Sequence, residues 1–385
     1  MGITLLKGKV RFDRHELAGS FGDIGTDFPL IVGMILACPL DPTSVLVIYG
    51  LMQILTGLIY GIPMPVQPLK AMAVIVITQK LSGNVLYGAG LAIGIIMAIL
   101  ILTGIVGWIA RIVPKSVVRG IQFGLGLQLS LLALKEYVPA DGATGYALAF
   151  LGFVLVIIFL RHKKYPAALN VIALGLIYAM CFRIDSRMLT QNIGFRLPGW
   201  HVPQINDILT GLVVLAVPQI CLSIGNSILA TRQLTQDYFP EKKMTIKKIG
   251  ITYSMMNLVS PFFGGIPVCH GSGGMAGHYT FGARTGGSTL IYGSIYLCLG
   301  LFFSQGFGEV IKLFPKPILG VILLFEGWAM MRLIRDIDVV KDLGIVFLIG
   351  VLAIGLPYGY LIGLLAGTIL VNLRDRKIIN SLDSY

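Results

Sequence analysis

Apolar runs of roughly 15–25 residues recur along the whole 385-residue chain, separated by short charged or Pro/Gly-rich turns. Repeated crossings of a hydrocarbon core about 30 Å thick call for such runs, and inside that core each backbone N–H and C=O needs an internal partner. Composition points the same way. Hydrophobic residues make up 56% of the chain and charged residues 12%, against about a quarter charged in soluble domains. The expected fold class is an all-α polytopic membrane protein. The first 16 residues hold Lys7, Lys9, Arg11, Asp13, Arg14 and Glu16 without an apolar core, so no removable signal peptide is expected.

The hydropathy pattern predicts spans at 17–37, 44–61, 67–80 (short), 84–110, 116–134, 143–160 and 166–183. A second set follows at 206–229, 248–262, 271–282 (short), 287–305, 315–334, 342–355 and 358–373. Three local matches link the halves in the same order. Asp23-Ile24-Gly25 faces Ser223-Ile224-Gly225 at an offset of 200, Gly61-Ile62-Pro63 faces Gly265-Ile266-Pro267 at 204, and Pro114-Lys115 faces Pro315-Lys316 at 201. With seven segments per half, an odd number, the second half enters the membrane in the opposite sense. The expected organisation is therefore two inverted repeats, 1–183 and 206–373.

Orientation follows from charge. With the N-terminus on the cytoplasmic side, 22 of the 30 basic residues fall in inner segments, which satisfies the positive-inside rule. Among them are Lys7, Lys9, Arg161, Lys163, Lys164, Arg376 and Lys377, while Arg187 and Arg196 fall outside. Topology thus accounts for the net charge of +12 and makes nucleic-acid binding an unnecessary hypothesis. The chain is expected to sit in a cell membrane, in contact with lipid, with both termini cytoplasmic.

The Gly-Ile-Pro phrases break the apolar pattern at membrane depth. Pro and Gly there leave backbone groups without helical partners, which is tolerated where they line a cavity, and paired breaks in two halves point to a transporter's site. In the first break, Pro63 and Pro65 force an extended entry, Gln67 offers a polar cap, and Pro68 suits a first helical position. In the second, Gly271, Ser272, Gly273 and Gly274 open a helix with little bulk. Two helix N-termini that face each other, each with free N–H donors and about half a positive charge, form an anion site. The nearby groups are small and polar, namely Ser272, Gln67, Gln219 and Asn226, which suits a small oxyanion. Lys70, in the first turn of the short helix, either complements a dianion or pairs with an acid such as Asp23 or Glu326. Asp23, Asp27 and Glu326 are the intramembrane acids, and each is a candidate to take up a proton or cation. Cys38, Cys181, Cys221, Cys269 and Cys298 are scattered. Cys269 and His270 are adjacent without further ligands nearby, so no metal site is expected.

The phrases FGDIGTDFPL (21–30), PMPVQPLKAM (63–72) and GIPVCHGSGGMAGHYTFGARTGG (265–287) resemble the signatures of the molybdate transporter family, a branch related to the sulfate permeases. The resemblance runs over nearly the whole chain. Ser272 stands where the family phrase has alanine, and His278 also departs from it. The resemblance implies a uracil-permease-like fold of fourteen segments, with a core domain (17–110 and 206–305) and a gate domain (111–183 and 306–373). It implies substrate between the two short helices. Gln67 and Pro68 through Ala71 would line one side and Cys269, His270, Gly271, Ser272, Gly273 and Gly274 the other, with Asp23, Gln219 and Asn226 supplied by the first and eighth spans. It also implies movement of the core against the gate, and a homodimer. About a dozen residues follow position 373, so the cytoplasmic regulatory domain of larger sulfate permeases is expected to be missing.

The expected function is secondary active transport of a tetrahedral oxyanion by proton-coupled, elevator-type alternating access with no cofactor, and the resemblance alone selects molybdate, with sulfate on the same fold as the alternative. A nucleobase symporter on the same fold would want a carboxylate near the second break, and residues 264–287 contain no Asp or Glu. An enzyme is disfavoured because no His-Glu-x-x-His, Gly-x-Ser-x-Gly or phosphate-loop motif occurs. An anion channel stays open, since facing helix ends can also form a filter.

Overall fold

The computed structural model of the protein describes residues 3–5, 10–160, 166–183, 193–337 and 340–375. Lys7, Lys9, Arg161, Lys163, Lys164, Arg187, Arg376 and Lys377, used above for orientation, lie outside the described residues. The architecture is helical, as the apolar runs demand. A small hairpin of β1 (Ile3–Leu5) and β2 (Val10–Phe12) precedes α1 (Arg14–Ser20) and α2 (Ile24–Ala37), which meet at a 43° bend beside Asp23. Next come α3 (Pro42–Tyr60), β3 (Val66–Pro68), the short α4 (Lys70–Gln79), α5 (Gly83–Thr103) and α6 (Val106–Ile112). After these lie α7 (Lys115–Leu132), α8 (Gly142–Phe159) and α9 (Ala167–Phe182).

The second half opens with α10 (Ile205–Tyr238), a continuous helix with π-helical stretches at Leu212–Ala216 and Ser223–Ala230. Then come α11 (Ile246–Val259), β4 (Val268–His270), the short α12 (Ser272–Thr280), α13 (Gly287–Phe302) and α14 (Ser304–Leu313). The chain continues through α15 (Lys316–Met331), α16 (Val340–Gly355) and α17 (Gly359–Asp375). Among the described residues, five helices are long and apolar enough to cross a membrane, and up to seven if each bent pair forms one span. Large apolar side chains such as Leu102, Phe150, Ile158 and Phe182 point outward, as a lipid-facing surface requires.

The two halves share a packing pattern. α3 lies along α13, and α11 lies along α5, the same relation with the halves exchanged. At the centre, β3 and β4 form an antiparallel pair with Val66 opposite His270, Gln67 opposite Cys269 and Pro68 opposite Val268. Gly61 and Gly264 adopt φ of +65° and +66°, a left-handed turn that glycine takes without steric cost and that releases the chain toward these strands from α3 and from the 3-10 turn Ser260–Phe263 after α11. Each strand is clamped by an amide. Gln53 Nε2 donates to Val66 O at 2.8 Å and its Oε1 accepts from Val66 N at 3.0 Å. Asn257 does the same for Val268, at 2.7 and 2.9 Å. The clamps supply partners to backbone that hydrocarbon would otherwise leave unpaired.

Pro68 therefore does not open a helix, contrary to the sequence expectation. It is a strand residue, and α4 begins at Lys70 with Leu69 N bonded to Pro267 O at 3.0 Å. A proline tolerates this place because the missing donor falls at the end of a two-stranded ladder.

Candidate functional site

A cavity of about 270 Å³ lies beside the strand pair, between the starts of α4 and α12. The strands contribute Gln67 and Cys269, α4 contributes Lys70, and α12 contributes Ser272 and Gly273. From α10 come Gln219, Asn226 and Ser227, the last two on a π-helical turn, a feature that often marks functional positions. Gln122 of α7 and Glu326 of α15 close the far side. A second cavity of about 250 Å³ shares Gln122, Leu222 and Asn226 with the first and ends at Lys115 and Arg119. Arg119 donates to Asp336 at 2.9 and 2.5 Å and to Gln122 Oε1 at 2.7 Å, and Lys115 lies 3.2 Å from Asp336. These residues make a polar approach with a basic rim.

The two helix starts differ in how their donors are used. At α4, Gln219 reaches across from α10, and its Oε1 accepts from Ala71 N at 2.9 Å and Met72 N at 3.4 Å. These are the N–H groups an N-cap side chain ordinarily satisfies. Gln219 is fixed in turn by Ser223, at 3.1 Å, and Ser223 by the Tyr253 hydroxyl, at 2.8 Å. At α12 the N-cap is Gly271, which has no side chain to offer, and among the described residues no side chain accepts from the backbone N–H groups of Ser272, Gly273 or Gly274. Ser272, which lines the cavity with Gly273, gives its hydroxyl to Asn226 Oδ1 at 2.9 Å, which leaves the first backbone N–H groups of α12 without a side-chain acceptor.

The glycines of this turn have separate causes. A Cβ on Gly271 would collide with the Gln67 amide, and one on Gly274 would collide with the Asp23 carboxylate. Those two are glycine because the protein itself occupies the space. A Cβ on Gly273 meets nothing within 4 Å, so the room for a ligand is at Gly273 rather than along the whole Gly-Ser-Gly-Gly run.

The acids divide in the same manner. Both oxygens of Asp23 lie within hydrogen-bond distance of the Gln67 amide nitrogen, at 2.8 and 2.6 Å, so the carboxylate braces the strand. Asp27, one turn on, is fully buried and faces the Tyr49 hydroxyl, which makes its 2.7 Å bond to Val66 O instead and leaves both carboxylate oxygens outside regular hydrogen-bond geometry, with Tyr292 and Tyr296 also nearby. It does not line the cavity. Glu326 does, with Oε1 2.7 Å from Lys70 Nζ and Oε2 accepting from Thr26 Oγ1 at 3.2 Å. Lys70 thus has an acid partner, and it is Glu326.

His270 departs from its expected place. The strand alternation turns it away from Cys269 and the cavity, and it is fully buried, with Nε2 2.7 Å from Thr252 Oγ1 and its ring edge-on to Tyr60. That separation removes the Cys269/His270 pair as a joint ligand set. Pro68, Gly271 and Gly274 likewise shape the strand pair and turn without lining the cavity. The lack of an acid within 264–287 does not keep a carboxylate from the site either, because α15 delivers Glu326 from outside that phrase. Sequence reasoning missed Gln122, Ser227 and the two amide clamps. The clamps had a signal. Tyr49-x-x-x-Gln53 recurs as Tyr253-x-x-x-Asn257 at the 204 offset of the Gly-Ile-Pro pair.

The chain is similar to several known proteins. A family model described as "Molybdate transporter of MFS superfamily" matches residues 15–129 and 211–330. Molybdate transporter 2 of Arabidopsis thaliana is 32% identical over 375 residues, covering 85% of this chain and 80% of that protein. Molybdate transporter 1 of the same plant is 30% identical over 405 residues, covering 92% and 87%. Among solved structures, the murine solute carrier 26 family member A9 anion transporter in the inward-facing state superposes with a TM-score of 0.71 at 14% identity, over 94% of this chain and 68% of that one. The transmembrane domain of the cyanobacterial bicarbonate transporter BicA gives 0.64 at 15% identity, over 92% and 96%. At such identities the two structures speak for the fold alone.

Proposed function

The chain belongs to the molybdate transporter family, and from that premise we propose that the cavity between α4 and α12 carries a tetrahedral oxyanion, molybdate first, across the membrane. The protein is an integral, multi-pass membrane anion transporter and not an enzyme. The observation that carries the substrate reading is the uncapped start of α12. Its backbone donors open at Gly273 onto a cavity whose only lining cation among the described residues is Lys70. Backbone donors at a helix start, aided by the helix dipole, suit an anion. The volume of about 270 Å³ lies below the roughly 300–1,000 Å³ of sites for drug-sized ligands.

In this reading the core, 17–110 and 206–305, slides against the gate, 111–183 and 306–373, with the oxyanion held on the core. The cavity's continuation to Lys115 and Arg119 is then the cytoplasmic vestibule of an inward-open carrier. Asp23, Asp27 and Glu326 are the groups available to take a proton with the substrate. Differential affinity of the two carrier states for oxyanion and proton would set direction.

Purified protein in liposomes, given labelled molybdate under imposed pH or sodium gradients, tests this. Saturable uptake accelerated by an inward proton gradient is expected. Uptake indifferent to both gradients contradicts coupling and leaves facilitated diffusion. A current far above carrier turnover contradicts the carrier itself.

A further inference from the structure

We infer that Glu326 is a built-in competitor for the transported oxyanion: its carboxylate occupies Lys70 in the empty carrier, and the entering oxyanion takes that position by displacing it. This rests on the oxyanion reading of the cavity and adds what the empty site contains.

The argument starts from Lys70. A cation at the first residue of a helix opposes the helix dipole, and the donors of α4 are already served by Gln219, so Lys70 is not there to stabilise α4. It needs an anion, and one is supplied from 256 positions away: Glu326 Oε1, at 2.7 Å. The partners lie inside the cavity itself, where both line the wall together with Gly273 and Ser272. A carboxylate and a tetrahedral oxyanion present the same chemistry to an ammonium, anionic oxygens that accept charge-assisted hydrogen bonds. The Lys70 ammonium has three N–H donors, and the one given to Glu326 is withheld from the oxyanion.

Charge makes the competition sharper. The acids that face this pair are Asp23, at the bend before α2, and Asp27 on α2, with Cys269 the other titratable neighbour on β4 and Thr26 the neutral holder of the second carboxylate oxygen. No further cation lines the cavity among the described residues. A dianion that arrived with Glu326 still ionised on Lys70 would crowd three negative charges around one ammonium, so the carboxylate has to leave or become neutral.

The displacement has a mechanical consequence. Glu326 stands on α15, which packs mainly on α7 and α8, whereas Lys70 and Thr26 stand on α4 and α2. The empty carrier is therefore tied across these two helix groups, and the oxyanion unties it. By linkage, the factor by which Glu326 weakens oxyanion binding equals the factor by which oxyanion weakens the tie. A loaded carrier then rearranges more readily than an empty one, and exchange of oxyanion for oxyanion outpaces net efflux.

The test uses the full-length protein, with labelled molybdate binding in detergent and flux in liposomes. Glu326→Gln is expected to bind molybdate about tenfold more tightly, one decade in Kd, and to bring the ratio of exchange to net efflux toward one. Thr26→Val, which is close in shape and frees one carboxylate oxygen, should move both readouts the same way by a smaller factor, and serves if Glu326→Gln does not fold. The double variant Lys70→Met/Glu326→Gln, neutral and similar in size, should bind weakly. Unchanged or weaker binding by both Glu326→Gln and Thr26→Val overturns the inference, as does wild-type affinity in the double variant. If wild-type protein and both single variants bind no oxyanion, the oxyanion reading fails and this inference with it.

Discussion

The starts of α4 and α12 are the same backbone device put to two uses. Both helices are short, both follow a three-residue strand, and the strands pair with each other. Yet α4 has its donors satisfied from within, by Gln219, and its cation satisfied from within, by Glu326. The start of α12 has neither and opens at Gly273. One backbone device thus yields one closed end and one open end, and in the proposed function the ligand meets backbone donors from α12 and a contested charge from α4. The β3–β4 pair brings the two helix starts together, and the side chains that differ between them decide what each end does.

The largest effect should come from filling the open end. Gly273→Phe places a ring where a Cβ meets no neighbour, so labelled molybdate uptake should fall more than about 100-fold while the protein elutes as a folded species. Gly274→Ala, one residue on, drives a methyl into Asp23 and should lower folded yield instead. If Gly273→Phe transports normally, the open end is not the site.

At the closed end, Lys70→Met leaves Glu326 buried without its counter-ion, a class of change that costs about 3–5 kcal/mol. Thermal unfolding in detergent should show the loss, and binding should fail as well. Gln219→Leu strips the partner from two α4 N–H groups and should cost about 1–3 kcal/mol of stability. A variant whose melting temperature matches wild type would mean that α4 has another cap.

Smaller effects separate the two ends further. Asn226→Ala removes the acceptor that holds Ser272 and should weaken molybdate binding by about 1 kcal/mol, roughly fivefold in Kd. His270→Leu should leave molybdate affinity within about twofold, since the ring faces Thr252 and Tyr60, and its lost hydrogen bond should appear as about 1 kcal/mol of stability. An affinity loss comparable to that of Asn226→Ala would put His270 back in the site.

Much of this was legible in the sequence because it is local. Apolar runs mark helices, and proline and glycine mark breaks, so α3, α7, α13 and α15 begin and end close to the expected limits. Gln67, Gln219, Asn226, Cys269, Ser272 and Gly273 stand out in the sequence by type and position, and all six line the cavity. What stayed hidden is contact between distant segments. The β3–β4 pair joins residues some 200 positions apart, and three-residue strands carry no periodicity to read. Gln219 looked like a ligand group, yet its acceptor serves α4, because a sequence does not say which of two polar partners a side chain will meet. His270 shows the other limit. Adjacent residues on a strand face opposite ways, and the direction depends on a pairing that the sequence concealed.

The most direct test of the central claim is labelled-molybdate uptake by purified protein in liposomes, with sulfate, tungstate and a nucleobase as competitors and Gly273→Phe in parallel. The account predicts saturable uptake that tungstate suppresses, that the nucleobase leaves unchanged, and that Gly273→Phe abolishes. Suppression by the nucleobase alone, with no effect of either oxyanion competitor, would contradict it.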